Sequence, residues 1–373
     1  MSDLSDLIYV ETFTLPVNPG RKAPMEEEAI PEWFQLLLTI STLLIMLVSL
    51  PGNGMICLLT YKKPVMRSAI NLLLSGLAFS DLLLTLITMP TSIAAIWLDS
   101  INEEYCYISG FMNASIVTIA TCVLLAITVD RYFIVCHHQE RLTPARAKWL
   151  LVLLTCISLL FSLPPLLGWG EYRCSPLLIF PMLLSENTTD TVYVYLFTIG
   201  VILIPTVVMI LCFISVSRTI HKNSRRIQVT TRRCSVTHID SIAVSVAEAG
   251  RQTASLDITF KTRTFKTIML LFAVHVCSWL PLYLAQFYWN ITEDPSHQIE
   301  ANVLVILCFA KSALNPIVFC IRIKKFRDAC DEMLPYSLCQ VFTTNRMSKR
   351  RTNPSQVYEY SARQSSLSSS TTL

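Results

Sequence analysis

Seven apolar runs, each about as long as the ~20 residues a helix needs to cross a bilayer, dominate this sequence. They fall at 34–61, 69–98, 105–135, 149–169, 192–217, 268–289 and 302–321. Inside hydrocarbon every backbone N–H and C=O must find its partner within the protein, and a continuous apolar run of this length satisfies them as a helix. The chain is 373 residues long, so seven such spans leave short loops, one longer loop, two tails and no room for a separate soluble domain. Only 15% of residues are charged, against about a quarter in soluble domains. The expected class is an all-α membrane protein, a seven-transmembrane helix bundle with a short amphipathic eighth helix. Its expected divisions are an extracellular flexible tail at 1–32, the membrane domain at 33–322 with a loop at 221–258, the amphipathic helix at 323–335 and a cytoplasmic disordered tail at 336–373.

The first 32 residues hold Pro16, Pro19, Gly20, Pro24, Pro31 and the acidic run Glu26 to Glu28, a mixture that cannot bury enough apolar surface to fold alone. They also lack the basic start and apolar core of a secretory leader, so the first span is expected to serve as its own insertion signal. Lys62, Lys63, Arg67, Arg141, Arg146, Lys148 and the basic stretch 218–233 fall on alternate loops, which the positive-inside bias makes cytoplasmic. The opposite side carries Glu103, Glu104, Glu186, Asp190, Glu293, Asp294 and Glu300 with few cations. This predicts a multi-pass plasma-membrane protein with its N-terminus outside. The net charge of +4 hides that asymmetry, and the basic loops point to anionic membrane lipid rather than nucleic acid. After residue 321, basic and apolar residues alternate at helical spacing up to Pro335, the pattern of a helix lying on the inner membrane face. No internal repeat argues for a transporter. No nucleophile–base spacing or metal-ligand cluster argues for an enzyme, a cofactor or a bound metal.

Each span also carries a polar residue or a proline that hydrocarbon tolerates only with a partner. Gly52-Asn53 lies in the first, Leu77-Ala78-Phe79-Ser80-Asp81 and Pro90 in the second, and Cys106 with Asp130-Arg131-Tyr132 at the two ends of the third. Pro205 lies in the fifth, Trp279-Leu280-Pro281 in the sixth and Asn315-Pro316-Ile317-Val318-Phe319 in the seventh, followed by Phe326. As an ordered set over roughly residues 34–335, this resembles the rhodopsin-like (class A) G protein-coupled receptors. Residues 66–74, Leu142-Thr143-Pro144, Lys311-Ser312, 322–326 and 354–358 look like a small group of orphan receptors sometimes described as lysophosphatidic acid receptors.

The resemblance implies a receptor that passes an extracellular or constitutive signal to a heterotrimeric G protein. It implies a disulfide between Cys106, at the outer end of the third run, and Cys174, in the loop after the fourth, the two of 13 cysteines at extracellular positions. It gives Asp130, Arg131 and Tyr132, Trp279 and Pro281, and Asn315 and Pro316 roles in switching and coupling. Physically, Asp130 can hold the Arg131 guanidinium until a partner helix offers better acceptors; an Arg merely reaching the interface is the bland alternative. Departures accompany the match. The position of a second latch carboxylate on helix six is Lys261, and two tyrosines that favour the active state in relatives are here Phe213 and Phe319. Trp279 is preceded by Ser278, and Thr155 stands at the usual helix-four Trp. Lys261, Phe213 and Phe319 favour the alternative of a non-coupling seven-helix binding or decoy protein, while Asp130-Arg131-Tyr132 favours the coupled receptor.

Lys311 lies near the middle of the last span, where an unpaired charge costs about 2.5–3.5 kcal/mol even on a lenient scale. The intramembrane carboxylates are Asp81 and Asp130, and Asp130 sits at the inner surface, which leaves Asp81 as the partner. The resemblance places Asp81 and Asn315 around a sodium ion in many receptors; the expectation is that the Lys311 ammonium takes the ion's place, with Ala120 in place of a hydroxyl. A lysine neutralised by desolvation, or turned to water, is the alternative. Retinal attachment is disfavoured, since the opsin lysine position is held by Phe309.

Asn113 replaces the helix-three aspartate of amine receptors, and Ser109 stands where lysophosphatidate receptors carry a basic residue. The ligand is therefore unassigned, with a lysophospholipid by resemblance and a basic peptide by the acidic outer face as the two candidates. Asn187 begins an outer-loop glycosylation sequon, and Cys330 is the palmitoylation candidate.

Overall fold

The computed structural model describes residues 31–98, 102–174, 180–184, 188–234, 241–292, 298–323 and 326–328. Seven helices among them are long and apolar enough to cross a membrane. They are α1 (Glu32–Lys62), α2 (Ala69–Trp97), α3 (Glu103–Cys136), α4 (Pro144–Ser162), α5 (188–234), α6 (Ser241–Thr292) and α7 (Gln298–Arg322). A short antiparallel hairpin, β1 (Glu171–Arg173) with β2 (Met182–Leu184), pairs Tyr172 with Leu183 between α4 and α5; the sequence reading did not anticipate it.

Local chemistry explains the boundaries. Asn102 caps α3 by accepting from the Glu104 N–H at 2.9 Å, and Thr143 caps α4 by accepting from Arg146 with Pro144 in the first turn. That cap starts α4 five residues before the expected 149. Pro164 and Pro165 stop it at Ser162, so Trp169, expected inside the span, lies in the turn beyond, between Gly168 and Gly170, which both have positive φ. The loop expected at 221–258 is helical at 221–234 and again from Ser241.

Two helices change pitch midway. In α2 residues Leu84–Thr88, and in α5 residues Thr198–Leu203, form π turns, and each ends two residues before a proline, Pro90 and Pro205. Proline removes one N–H and clashes with the carbonyl four residues back, and the wider turn makes room for that ring.

Helix α3 is the most enclosed span and α4 the least, so α3 forms the axis about which α2, α4 and α5 pack, while α7 packs between α1 and α6. Leu36, Leu43, Leu44, Leu47, Trp149, Leu160, Val207 and Leu211 face outward, as lipid-facing side chains do. Inside are two apolar clusters. One, at the hairpin end, includes Met89, Val117, Phe197, Trp279, Tyr283 and Phe309. The other, at the Arg131 end, includes Leu73, Leu124, Met209, Phe213, Leu271 and Phe319. Between them lies a layer of buried polar side chains. Close backbone approach sets its edge: a Cβ on Gly52 of α1 would stand 2.6 Å from the Pro316 ring of α7.

Candidate functional site

The polar layer is built around one carboxylate. Asp81 of α2, 1% exposed, accepts from Lys311 Nζ through Oδ1 at 2.6 Å and from Asn315 Nδ2 through Oδ2 at 2.5 Å. Lys311 and Asn315 are four residues apart on α7 and so share a face, which lets one helix grip both oxygens. The Asp81 carbonyl accepts from Thr85 Oγ1 at 2.7 Å, and Thr85 in turn pairs with Ser49 of α1. Asn53 donates to the Ser49 carbonyl and to Ser312 O at 2.9 Å, joining α1 to α7. A buried ion pair needs further hydrogen bonds to offset its desolvation, and here Asn315 supplies one to the carboxylate while Thr85 holds the Asp81 backbone carbonyl.

This arrangement decides whether a sodium ion suits the site. Both carboxylate oxygens already accept from nitrogen, and the ammonium supplies the cation Asp81 requires, so a second monovalent cation would meet repulsion rather than a free ligand. The residues do not fit the ion.

At one end of the bundle, Arg131 folds back on Asp130, with Nε 3.0 Å from Oδ2 and Nη2 on the same oxygen. Tyr132 turns to His137, its hydroxyl 3.2 Å from Nε2. Lys261 belongs to α6, but its side chain lies outside the described residues. Phe213 stacks on Phe272 and Phe265 of α6 with ring centroids at 4.9 and 5.7 Å, and Phe319 packs against Phe326. The aromatic replacements thus fill apolar space between helices. Phe326 is buried and helical, while most of the amphipathic helix expected at 323–335, including Cys330, lies outside the described residues.

At the other end the hairpin closes the bundle. Cys106 and Cys174 form a disulfide with Cα atoms 5.7 Å apart, tying β1 to the first turn of α3. Tyr172 is buried against Gly110, where a side chain would collide with its ring, and donates its hydroxyl to Ser162 O at 2.8 Å. Burial, with Tyr193 and Tyr283 nearby, pushes the Tyr172 phenol well above its usual range, so it stays a neutral donor. Gln286 of α6 donates to the Leu183 carbonyl, and Phe180 reaches inward to Trp279 and Phe309, with centroids at 6.3 and 6.4 Å. Trp279, 2% exposed, also meets Tyr283. Asn113 accepts from Thr88 of α2 at 2.5 Å, and Ser109 bonds to Cys106 O. Asn187 lies outside the described residues.

The structure therefore brings Asp81, Lys311 and Asn315 into one cluster, joins Asp130 to Arg131, and sets Trp279 beneath the hairpin. Pro281 lies within α6 and Pro316 within α7, the latter against Gly52. The sequence reading missed a buried pair joining α3 to α6, Thr121 Oγ1 and His275 Nε2 at 3.1 Å. A histidine inside an apolar span was the available signal.

Known proteins supply the frame for this geometry. Residues 52–319 match the model of the 7 transmembrane receptor (rhodopsin family). The chain is similar to the high-affinity lysophosphatidic acid receptor of Xenopus laevis, 33% identical, covering 89% of this chain and 91% of the relative. It is 31% identical to the human probable G-protein coupled receptor 45, covering 96% and 98% of the two chains. It is 32% identical to the human probable G-protein coupled receptor 63, covering 94% and 84%. The crystal structure of squid rhodopsin shares the fold with a TM-score of 0.70 at 18% identity, covering 91% of this chain and 98% of that one. The match to the family model spans well over half of the sequence, and this chain belongs to the rhodopsin family of seven-transmembrane, G protein-coupled receptors.

Proposed function

We propose that this receptor signals to its heterotrimeric G protein without requiring agonist, and that its central cation is Lys311 rather than a sodium ion. The observation that carries the reading is the 2.6 Å contact between Lys311 Nζ and Asp81, in a cluster where each carboxylate oxygen already accepts from nitrogen and the ammonium supplies the cation. Two neighbouring features support it. Arg131 is restrained by Asp130 on its own helix, and the second latch position, Lys261, is a cation that cannot hold a guanidinium. A one-sided latch opens more readily than a two-sided one.

In this reading the Arg131 end faces the cytoplasm. Lys62, Lys63, Arg67, Arg141, Arg146, Arg218 and Arg322 cluster toward that end, while Glu32, Glu104, Asp190 and Glu300 lie toward the hairpin end, and positive charge stays inside. The site for an extracellular ligand is then the mouth roofed by the hairpin, above Trp279. The buried polar side chains toward that end, Asn113, Ser109, Ser92 and Gln286, are neutral, so the ligand contacts there are hydrogen bonds and apolar packing. A second reading, a lysophospholipid ligand, is favoured by the name of the Xenopus relative. Displacement of labelled lysophosphatidic acid from membranes carrying the receptor decides between them.

The test of the main reading is second-messenger output in cells without added agonist, compared for wild type and Arg131→Ala at equal surface expression. Output above mock-transfected cells that the substitution removes supports coupling, and output equal to mock overturns it. Replacing NaCl with an organic cation is expected to leave the output within about twofold, a difference of less than one unmade hydrogen bond. A clear sodium dependence refutes the role of Lys311.

A further inference from the structure

Halfway through the bundle, α3 and α6 are joined by two polar side chains that neither the ion-pair cluster nor the Arg131 latch uses. His275 of α6 is 3% exposed and Thr121 of α3 is 1% exposed, with Nε2 and Oγ1 3.1 Å apart. The Thr121 hydroxyl also donates to the Val117 carbonyl of its own helix at 3.0 Å. A hydroxyl has one proton, and with that proton committed to Val117 the oxygen accepts from the imidazole. His275 is then the tautomer carrying hydrogen on Nε2, and its Nδ1 is a bare acceptor.

Among the described residues neither Nδ1 nor the indole N–H of Trp279 has a hydrogen-bond partner. His275 and Trp279 stand four residues apart on α6, hence on one face. One turn of α6 therefore carries an unused acceptor on the residue that meets the Thr121 hydroxyl and an unused donor four residues on. Apolar side chains surround this level of the bundle, among them Phe272 and Leu271 on α6, Leu124 and Val117 on α3 and Phe309 on α7, and the Lys311 ammonium of α7 is near enough to act on the imidazole through space. A neutral hydrogen bond in such surroundings is directional, and sliding or rotating α6 against α3 breaks it with no water to take its place.

We infer that the Thr121–His275 hydrogen bond is a staple that holds α6 against α3 in the resting arrangement. It is a second, neutral tie between α6 and α3, separate from the Arg131 latch and no substitute for the carboxylate that position 261 lacks. Three observations meet in this assignment. The bond coexists with Arg131 folded onto Asp130, the closed form of the latch. It lies one helical turn from Trp279, which touches the hairpin through Phe180, so a push from the mouth arrives within one turn of the staple. His275 Nδ1 and the Trp279 indole N–H are both unpaired among the described residues, so the resting arrangement leaves polar atoms on this turn of α6 that a shifted helix can satisfy. His275 and Thr121 are positioning residues: they set where α6 sits and touch neither ligand nor G protein.

The inference rests on the proposed agonist-free coupling, and the experiment separates the two. Agonist-free second-messenger output and surface expression are measured for wild type, Thr121→Val, His275→Phe, the double variant and Thr121→Ser. Valine matches threonine in shape and lacks only the hydroxyl. Thr121→Val and His275→Phe are expected to raise output per surface receptor about threefold, the worth of roughly one net hydrogen bond. The double variant is expected to rise no further than either single one, and Thr121→Ser, which keeps the hydroxyl, to match wild type. Adding Arg131→Ala to Thr121→Val is expected to abolish the gain. Unchanged or reduced output in both single variants, an additive double variant, or a serine variant that behaves like valine each overturns the staple. If wild type is silent and Thr121→Val gains Arg131-dependent output, the staple stands and agonist-free coupling of the wild type fails.

Discussion

Lys311 and Asp81, 230 residues apart in sequence, meet at 2.6 Å with both side chains 2% exposed. Asn315, one turn along α7 from Lys311, takes the carboxylate oxygen that Lys311 leaves. The pair fastens α2 to α7 at the level where two apolar clusters are interrupted by polar side chains, and Thr85, Ser49 and Asn53 extend that fastening to α1.

Breaking one side of this pair leaves an uncompensated charge in a low-dielectric layer. Lys311→Met or Asp81→Asn alone is expected to destabilise the receptor by about 3–5 kcal/mol. The double variant, with no charge stranded, is expected to recover most of that loss. Thermal unfolding in detergent, followed for the four proteins as a cycle, gives the coupling; singles that melt like wild type refute the dependence of one charge on the other.

The approach of α1 to α7 depends on a missing side chain. With a Cβ at Gly52 standing 2.6 Å from Pro316, Gly52→Val must displace a helix that also carries Lys311 and Asn315. The expected cost is about 1–3 kcal/mol, the range for overpacking a filled interior. Substitution at Gly54, which has open space around it, serves as the control and is expected to change stability by under about 0.5 kcal/mol.

Cross-linking of the hairpin is the next handle. The disulfide spans 68 residues and ties β1 to α3, so Cys174→Ala is expected to cost about 2–4 kcal/mol. Reduced surface expression is the simplest readout. Tyr172→Phe removes the hydroxyl bond to Ser162 while keeping the buried ring, and a smaller loss of about 1 kcal/mol is expected.

Phe180 provides a test of whether the roof of the mouth speaks to α6. Truncation by Phe180→Ala removes two ring contacts, to Trp279 and Phe309, without touching the disulfide. Agonist-free output per surface receptor is expected to change by about threefold or more, as aromatic pairs of this kind contribute roughly 0.5–1.5 kcal/mol. Output identical to wild type would mean that the hairpin end and Trp279 are independent.

What the sequence revealed, and what it concealed, follows from how each feature is encoded. Spans were legible because a bilayer demands a continuous apolar run, and six of the seven helices contain nearly all of the expected stretch. Helix α4 was displaced toward the C-terminus because Trp169 and the apolar residues 163–167 extend the run past Pro164, where the helix ends; the cap at Thr143 was the better signal. The helical continuation of α5 and α6 into 221–258 carries no apolar stripe, so periodicity was silent about it. The nearness of Lys311 to Asp81 followed by elimination, since few carboxylates lie within the spans. The Thr121–His275 bond was hidden because several threonines and serines in the spans bond back to their own helix, as Thr42, Thr60, Thr128 and Ser158 do. Nothing local distinguishes the one that reaches across.

The π turns in α2 and α5 have a consequence for anyone editing this chain. Each takes up a single surplus residue, so the portions of the helix before and after the turn face one another much as they would in an unbroken α-helix. Deleting one residue between 84 and 88 would convert the wide turn to an ordinary one and leave Asp81 facing nearly as before relative to Met89 and Ser92. The same edit within a regular stretch of α3 has no such slack and turns one part of the helix against the other by about 100°. Length changes at these two places are thus the ones the receptor's interior can absorb.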